Sequence, residues 1–452
     1  MDHGVVALEL GVRSTRDCPL QMTTQQSRNQ IVSNALRAYL PAVILYFIST
    51  ASLLLGIAAQ LVGFVVLARF LGAEKFGHLM AITAATAIAL SITGLGTEEV
   101  MLRRCVREPT LYPKLLGHSL ILILISGALF SFITLLGLHM LVHVAASPLS
   151  SIETLAIFAF SNIVLARCII LTESIFVAQK QIMYANIVVT GFAVARMLAA
   201  VIGCFVFGVN RLETWALWHG GIHIVGTIAC IGLLWRYGAP KWCVLREEIW
   251  RGIHNATPQL VSSQRQNIDR LVLTAVASPV TVGAYSVASN IVQYSLVTIN
   301  SFSRLFYPQL AIAGMKGASA TFQLAARYLV IIFGLGVMNS IALFVIAPFL
   351  PWLFGKEFGE SIHYLTILCW LPILVAIHNV AYDALGAAER HGIRALFYNT
   401  TGILGIGLIG GLTFLYGVNG AFAGIFITYV FLGIAMWLCL IVLGQREKRL
   451  TL

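Results

Sequence analysis

The chain has 452 residues, 59% of them hydrophobic and only 10% charged, with a mean hydropathy of +0.88. A soluble domain carries about 25% charged residues, so this composition excludes one and reads as an integral membrane protein. The apolar runs are continuous rather than alternating, which excludes a β-barrel. The net charge of +11 would suggest nucleic acid in a soluble chain, but here its placement along the sequence carries the information, and no nucleic-acid partner is expected.

Residues 1–40 hold Asp2, Glu9, Arg13, Arg16, Asp17, Arg28 and Arg37, with no uninterrupted apolar core or small-residue cleavage site. They read as a cytoplasmic N-terminal tail rather than a cleaved signal peptide, with Met22 as an alternative start. Uncharged apolar runs follow at Ala38–Ala68, Phe76–Thr97, Leu115–Ile152, Tyr328–Gly355 and Ala395–Gly444. A span takes about 20 residues, so the last run folds as a hairpin of two helices. The pattern predicts an all-α polytopic membrane protein with spans near 45–68, 77–97, 116–140, 153–173, 184–208 and 214–235, and a second set near 253–276, 282–305, 326–348, 361–386, 394–416 and 419–443. Residues 41–236 and 253–444 are then two six-span halves, and 445–452 is a second cytoplasmic tail. Between them, 237–252 reads as an amphipathic linker helix on the cytoplasmic face, because Trp242, Leu245, Ile249 and Trp250 alternate with charged residues. The eight cysteines are scattered without paired spacing and read as small buried hydrophobes.

One predicted span is too polar for lipid. Gly252–Ala275 carries Arg265, Asp269 and Arg270 among amides and hydroxyls. Each such charge costs about 2.5–3.5 kcal/mol at a span centre unless it faces protein or water. Charge counting decides whether it crosses. Of the 29 Lys and Arg, four fall on outside links (Arg69, Lys75, Arg211, Lys356) and four within spans (Arg167, Arg196, Arg265, Arg270); the remaining 21 fall on cytoplasmic segments. If Gly252–Ala275 stayed on one side, the eight Lys and Arg placed inside after it would move outside, against the positive-inside rule. The segment therefore spans, with both termini cytoplasmic. A weak repeat joins the halves: Phe76 onward (FGHLMAITAATAIALSITGLG) parallels Val282 onward (VGAYSVASNIVQYSLVTINSF), which would relate them by an axis along the membrane normal.

At these residues a family resemblance enters. ARFLGAEKFGHL (Ala68–Leu79) and GLGTEEVMLRR (Gly94–Arg104) resemble the first hairpin of Wzx-type flippases. IDRLVLTAVASPVTVGAYSVA (Ile268–Ala288), FYPQLA (Phe306–Ala311), LFGKEFGESIHYLTILCW (Leu353–Trp370), AAERHGIRALFYN (Ala387–Asn399) and LYGVNGAFAGIF (Leu415–Phe426) are similar to the polysaccharide biosynthesis branch of the multidrug/oligosaccharidyl-lipid/polysaccharide (MOP) exporter superfamily. The resemblance implies two six-helix lobes around a central cavity, a bacterial inner-membrane location, and flipping of an undecaprenyl-pyrophosphate-linked oligosaccharide to the outer leaflet. The partners it implies are that lipid-linked cargo, the bilayer, and polysaccharide polymerase or export machinery.

Within that frame Arg265, Asp269 and Arg270 read as a cationic, hydrogen-bonding wall for a phosphate or anionic glycan. The alternative is an internal ion pair between Arg265 and Asp269 at i, i+4. Arg196, too deep to snorkel, reads as a cavity residue or as the partner of Glu98, Glu99 or Glu173. Arg167, nearer its helix end, reads as snorkelling to the interface, and Glu98 and Glu99 as a solvated helix end. Asn290, Gln293 and Asn300 fall on one stripe, either toward sugar hydroxyls or as interhelical glue. Asp269, His378 and Asp383 are candidates for H+ or Na+ coupling, with no other cofactor expected; interhelical hydrogen bonding competes. His219 and His223 have metal-pair spacing but no adjacent third ligand, so no metal is expected. Pro258 and Pro372 are candidate kinks. A cation-coupled multidrug exporter of the same superfamily is the nearest alternative. A membrane glycosyltransferase or polymerase is the remote one, since no long outside loop with acidic residues is present and an enzyme is not expected.

Overall fold

The computed structural model describes residues 24–145 and 151–450, and the side chains of 24–47, 141–145, Asn255, Pro258, Gln259, His391 and 448–450 lie outside what it describes. The start at Met1 or Met22 and the Pro258 kink therefore fall outside the described residues. Two compact units are distinguished, Met1–Ala51 and Ser52–Leu452. The first holds α1 up to Ala51, past the expected tail and into the first expected span, and everything below concerns the second.

Among the described residues all regular structure is helical. The first half comprises α1 (Thr24–Ile92), α2 (Thr97–Arg107), α3 (Tyr112–Ala145), α4 (Ile152–Ala159), α5 (Ala166–Ala178), α6 (Ile182–Phe205) and α7 (Leu212–Leu234). The second half comprises α8 (Arg246–Val276), α9 (Pro279–Gly314), α10 (Ala318–Ile346), α11 (Leu350–Phe354), α12 (Glu360–Leu368), α13 (Leu371–Ala387) and α14 (His391–Leu450). Two of these hold two rods each. α1 breaks at Gly72 (φ 75°, ψ 167°) and α14 at Gly417 (φ 60°, ψ −137°), conformations that carry no steric cost only for glycine. With α4–α5 and α12–α13 counted as single broken rods, the elements match the twelve expected spans. α4 and α5 join through a π turn at Phe160–Leu165. α9 starts where Ser278 Oγ accepts from Thr281 N–H (3.2 Å) with Pro279 in the first turn, a capped and pre-set N-terminus.

Eight helical stretches are apolar and long enough to cross a membrane, two of them the double rods of α1 and α14. α8 and α9 are not among them, yet both are long unbroken helices of 31 and 36 residues. α8 is the helix that joins the halves: it packs along α14 and also against α2, α3 and the Thr93–Gly96 turn. Its polar side chains therefore meet protein, which is what makes a polar span tolerable.

The linker departs from expectation. Residues 238–245 are not helical, and only Arg246 onward is, as the first turns of α8. Gly238 (φ 100°) breaks the chain from the turn after α7, and residues 239–245 run on as non-helical chain. The extended segment is pinned to α3 instead, with Lys241 N–H donating to Pro113 O (2.7 Å) and Leu245 N–H to His118 Nδ1 (3.2 Å). Pro372, a candidate kink, sits in the first turn of α13 where α12 gives way to it.

The two rods of α14 pack backbone to backbone through small residues. A Cβ on Gly420 would overlap the Leu412 carbonyl, and one on Gly424 would lie 2.7 Å from Ile409 Cα. Small residues at such crossings are what membrane helices use to approach closely. Gly420→Ala should accordingly destabilise the protein by about 1–3 kcal/mol, the usual cost of overpacking. Gly411→Ala, where an added Cβ meets nothing within 4 Å, should not. Thermal melting of both variants in detergent checks the contrast.

Candidate functional site

A cavity of about 190 Å³ with polar side chains in its wall lies between the halves. The first half supplies both α1 rods, α4 and its π turn, α6 and α7; the second supplies only Arg270, Asn290 and Tyr294 from α8 and α9. Two guanidiniums, Arg196 and Arg270, face it, with Gln60, Asn162 and His219, and among the described residues none lining it is a carboxylate. Arg196 is exposed by surface area although it lies mid-helix in α6, because the surface it shows is the cavity wall. It makes no ion pair among the described residues; the Phe192 ring lies 6.0 Å from its guanidinium carbon. Arg270 is only 8% exposed and is aimed by α9, its Nη2 donating to Ser289 Oγ (2.9 Å) and Asn290 Oδ1 (3.3 Å).

Asp269, the next-door carboxylate, points elsewhere. Its Oδ1 accepts the Arg270 backbone N–H (2.8 Å) and its Oδ2 the Tyr285 hydroxyl. It lines a second pocket of about 30 Å³, inside the second half, with Arg265, Gln266, Ser289, Gln293 and Tyr429. The alternative reading, an Arg265–Asp269 ion pair, is not formed. Arg265 instead lies over the rings of Tyr429 (4.7 Å) and Tyr398 (5.5 Å), where a guanidinium gains from the negative ring face.

The predicted set is thus divided. Arg196, Arg270 and Asn290 meet at the larger cavity, while Arg265, Asp269 and Gln293 meet at the smaller pocket. Asn300 joins neither and accepts from Asn379 Nδ2 (2.8 Å), the interhelical reading of that stripe. His378 is buried among the rings of Tyr382, Tyr398 and Tyr429. Asp383 lies on the same helix. Arg167 corrects its reading: it is 5% exposed and pairs with Glu98 at 2.9 Å, so it is an internal tie, and Glu98 is not a free helix end. Glu98 is thereby also removed as a partner for Arg196.

Sequence reading passed over Gln60, Tyr294 and Asn162, and weighed His219 only as a metal ligand. Asn162 reaches the cavity because the π turn rotates it inward; it bonds His219 Nε2 (2.7 Å) and donates to Thr86 Oγ1 (3.2 Å). His223 Nδ1 bonds the His219 carbonyl at 2.8 Å, so both rings are held by protein groups. The available signal was a lone amide inside each of two apolar runs, Gln60 in LLLGIAAQLVGF and Asn162 in FAFSNIVLA.

Comparison with known proteins follows from this geometry. The sequence profile of one family, described as "Polysaccharide biosynthesis protein", matches residues 45–313. No curated protein matches the chain in sequence. Among solved structures, the chain is similar to an inward-facing multidrug resistance MATE family transporter of the MOP superfamily, with a TM-score of 0.71 at 16% identity, covering 89% of this chain and 99% of that one. It is also similar to a MOP superfamily transporter from Pyrococcus furiosus described as having a binding pocket of reverse polarity (TM-score 0.60, 16% identity, 88% and 95% covered). A third is the Vibrio cholerae MATE transporter VcmN in its bent form (TM-score 0.57, 17% identity, 89% and 97% covered). At these identities the likeness is one of fold.

Proposed function

Because the chain belongs to the polysaccharide biosynthesis protein family, we propose that it flips a lipid-linked oligosaccharide across the bacterial inner membrane by alternating access, with both termini cytoplasmic. The observation that carries this is the charge of the larger cavity: two guanidiniums and, among its lining residues, no carboxylate. A planar guanidinium binds two phosphate oxygens at once, so the pair suits a pyrophosphate head group. Gln60, Asn162, Asn290 and Tyr294 supply donors and acceptors for the first sugar hydroxyls. The polyprenyl tail stays in lipid, where transfer costs nothing. Rocking of the halves about the cavity would expose it to each side in turn.

The MATE fold is also compatible with a multidrug exporter, and cavity charge separates the two readings. A cationic drug entering beside Arg196 and Arg270 meets like charges in a medium of low dielectric, a repulsion of several kcal/mol. The test is the lipid pool of a deletion strain, resolved by mass. A lipid-linked oligosaccharide should accumulate and clear when the gene is returned. An unchanged lipid pool together with new sensitivity to cationic drugs would replace this reading with the exporter.

A further inference from the structure

Two backbone contacts join the halves at either end of the second α1 rod, one beside the cavity at Gly77 and one past the end of the rod at Gly96, and both depend on glycine. At one end the second rod of α1 lies on the start of α9. A Cβ on Gly283 would sit 2.6 Å from the Ala73 carbonyl oxygen, and one on Gly77 would overlap the Pro279 carbonyl. These are the glycines that open the two sequence repeats. Beside them Phe64 and Phe76 meet Phe354 and Phe358 edge-on at 5.7 Å, and the Ala73 N–H donates to the exposed Glu357 carboxylate at 2.9 Å.

At the other end the turn after α1 lies on α8. A Cβ on Gly252 would overlap the Leu95 carbonyl, and one on Gly96 (φ +77°) would overlap the Gly252 carbonyl. One helical turn before Gly252 stands Glu248, only 5% exposed, paired with Arg104 of α2 at 3.1 Å and with Arg251 at 2.8 Å. From Gly77 to the end of the rod at Ile92 is roughly 22 Å at a helical rise of 1.5 Å per residue, and the turn carrying Gly96 follows. The two crossings are therefore at opposite ends of the rod that forms one cavity wall.

We infer that these crossings are the two gates of the transport cycle, the Gly77–Gly283 gate on the outside and the Gly96–Gly252 gate on the cytoplasmic side, with Glu248 as the latch of the latter. The inference rests on the transport reading and on the orientation set by charge counting. Glycine is needed because carbonyl oxygens of one half abut the backbone of the other, so any side chain there holds the gate ajar. The gates are unequal. The cytoplasmic one is tied by a buried carboxylate between two guanidiniums, while the outer one has ring packing and a carboxylate shared with water, which screens it.

The test reads cavity access without any cargo. Thr83 lines the cavity and is exposed to it, and no cavity-lining residue is a cysteine, so Thr83→Cys in the full-length chain is a clean reporter for a membrane-impermeant maleimide. Labelling is measured from outside in intact cells and from the cytoplasmic side in inverted vesicles, each against the chain lacking Thr83→Cys. Gly77→Ala and Gly283→Ala should raise outside labelling several-fold and leave cytoplasmic labelling unchanged. Gly252→Ala and Glu248→Ala should do the reverse. If the glycine variants do not accumulate, Glu248→Gln decides alone, because it keeps volume and loses charge; it should raise cytoplasmic labelling. Labelling unchanged in folded variants, or raised from the wrong side, overturns the gates. Because the readout is cysteine labelling rather than cargo movement, a sided response beside an unaltered lipid pool would sink only the cargo reading. Lipid accumulation without a sided response would sink only the gates.

Discussion

Arg196→Ala should lower export of the lipid-linked cargo by about 10- to 100-fold at equal protein level, with little change in thermal stability. The guanidinium faces the cavity and makes no ion pair among the described residues, so its removal strands no partner. What is lost is a charge-assisted hydrogen bond to the cargo's phosphate, worth about 1.5–3 kcal/mol, and 1.4 kcal/mol is a factor of ten. Arg196→Lys should recover part of the loss, since the charge remains while the two-pronged geometry does not. Export is read from surface polysaccharide in a deletion strain complemented with each variant. Stability is read by melting in detergent. A stable, fully exporting Arg196→Ala protein would remove Arg196 from the cargo path and leave Arg270 to hold the head group alone.

The contrast with Arg270 is informative. Arg270 donates to Ser289 and Asn290, so its loss would disturb the α8–α9 contact as well as the cavity, and a defect there would report on both. Arg196 is the cleaner probe because, among the described residues, it makes no ion pair and its one ring contact is the distant one to Phe192.

The twelve rods were legible in the sequence because a span is set by local composition and length, whereas the turns at Gly72 and Gly417 come from the structure. The polar span at Gly252–Ala275 was legible only by elimination, through the charge balance of the loops that follow it. The division of its charges was harder. Arg265 and Asp269 share a face at i, i+4, but Arg270 is a further 100° around the helix, enough to turn it toward the other half and into a different cavity. Spacing alone therefore grouped three residues that the fold separates. The linker misreading came from weighing its amphipathic pattern alone, when the segment is held extended by the Lys241 and Leu245 backbone bonds to α3, which no local pattern shows. The Arg167–Glu98 tie was not legible at all, since it joins residues 69 positions apart and each looks like a helix-end charge by itself.

That tie carries the largest expected stability effect. Arg167 and Glu98 meet at 2.9 Å with side-chain exposures of 6% and 20%, beside the Gly94 turn whose N–H donates to Ser126 Oγ at 2.9 Å. Removing one member leaves the other charged and unpaired in a poorly solvated site, which costs about 3–5 kcal/mol, whereas replacing both by apolar groups of similar volume is close to neutral. Arg167→Met alone and Glu98→Gln alone should each lower the melting temperature sharply and reduce accumulation in the membrane. The double variant Arg167→Met with Glu98→Met should recover most of both. This ordering follows from desolvation rather than from attraction: the pair exists because neither charge can be left alone, not because together they outperform a methyl group. If the double variant is instead worse than either single one, the two side chains act separately, and the tie between α2 and α5 is held by the apolar packing of Met101, Leu171 and Ile175 around it.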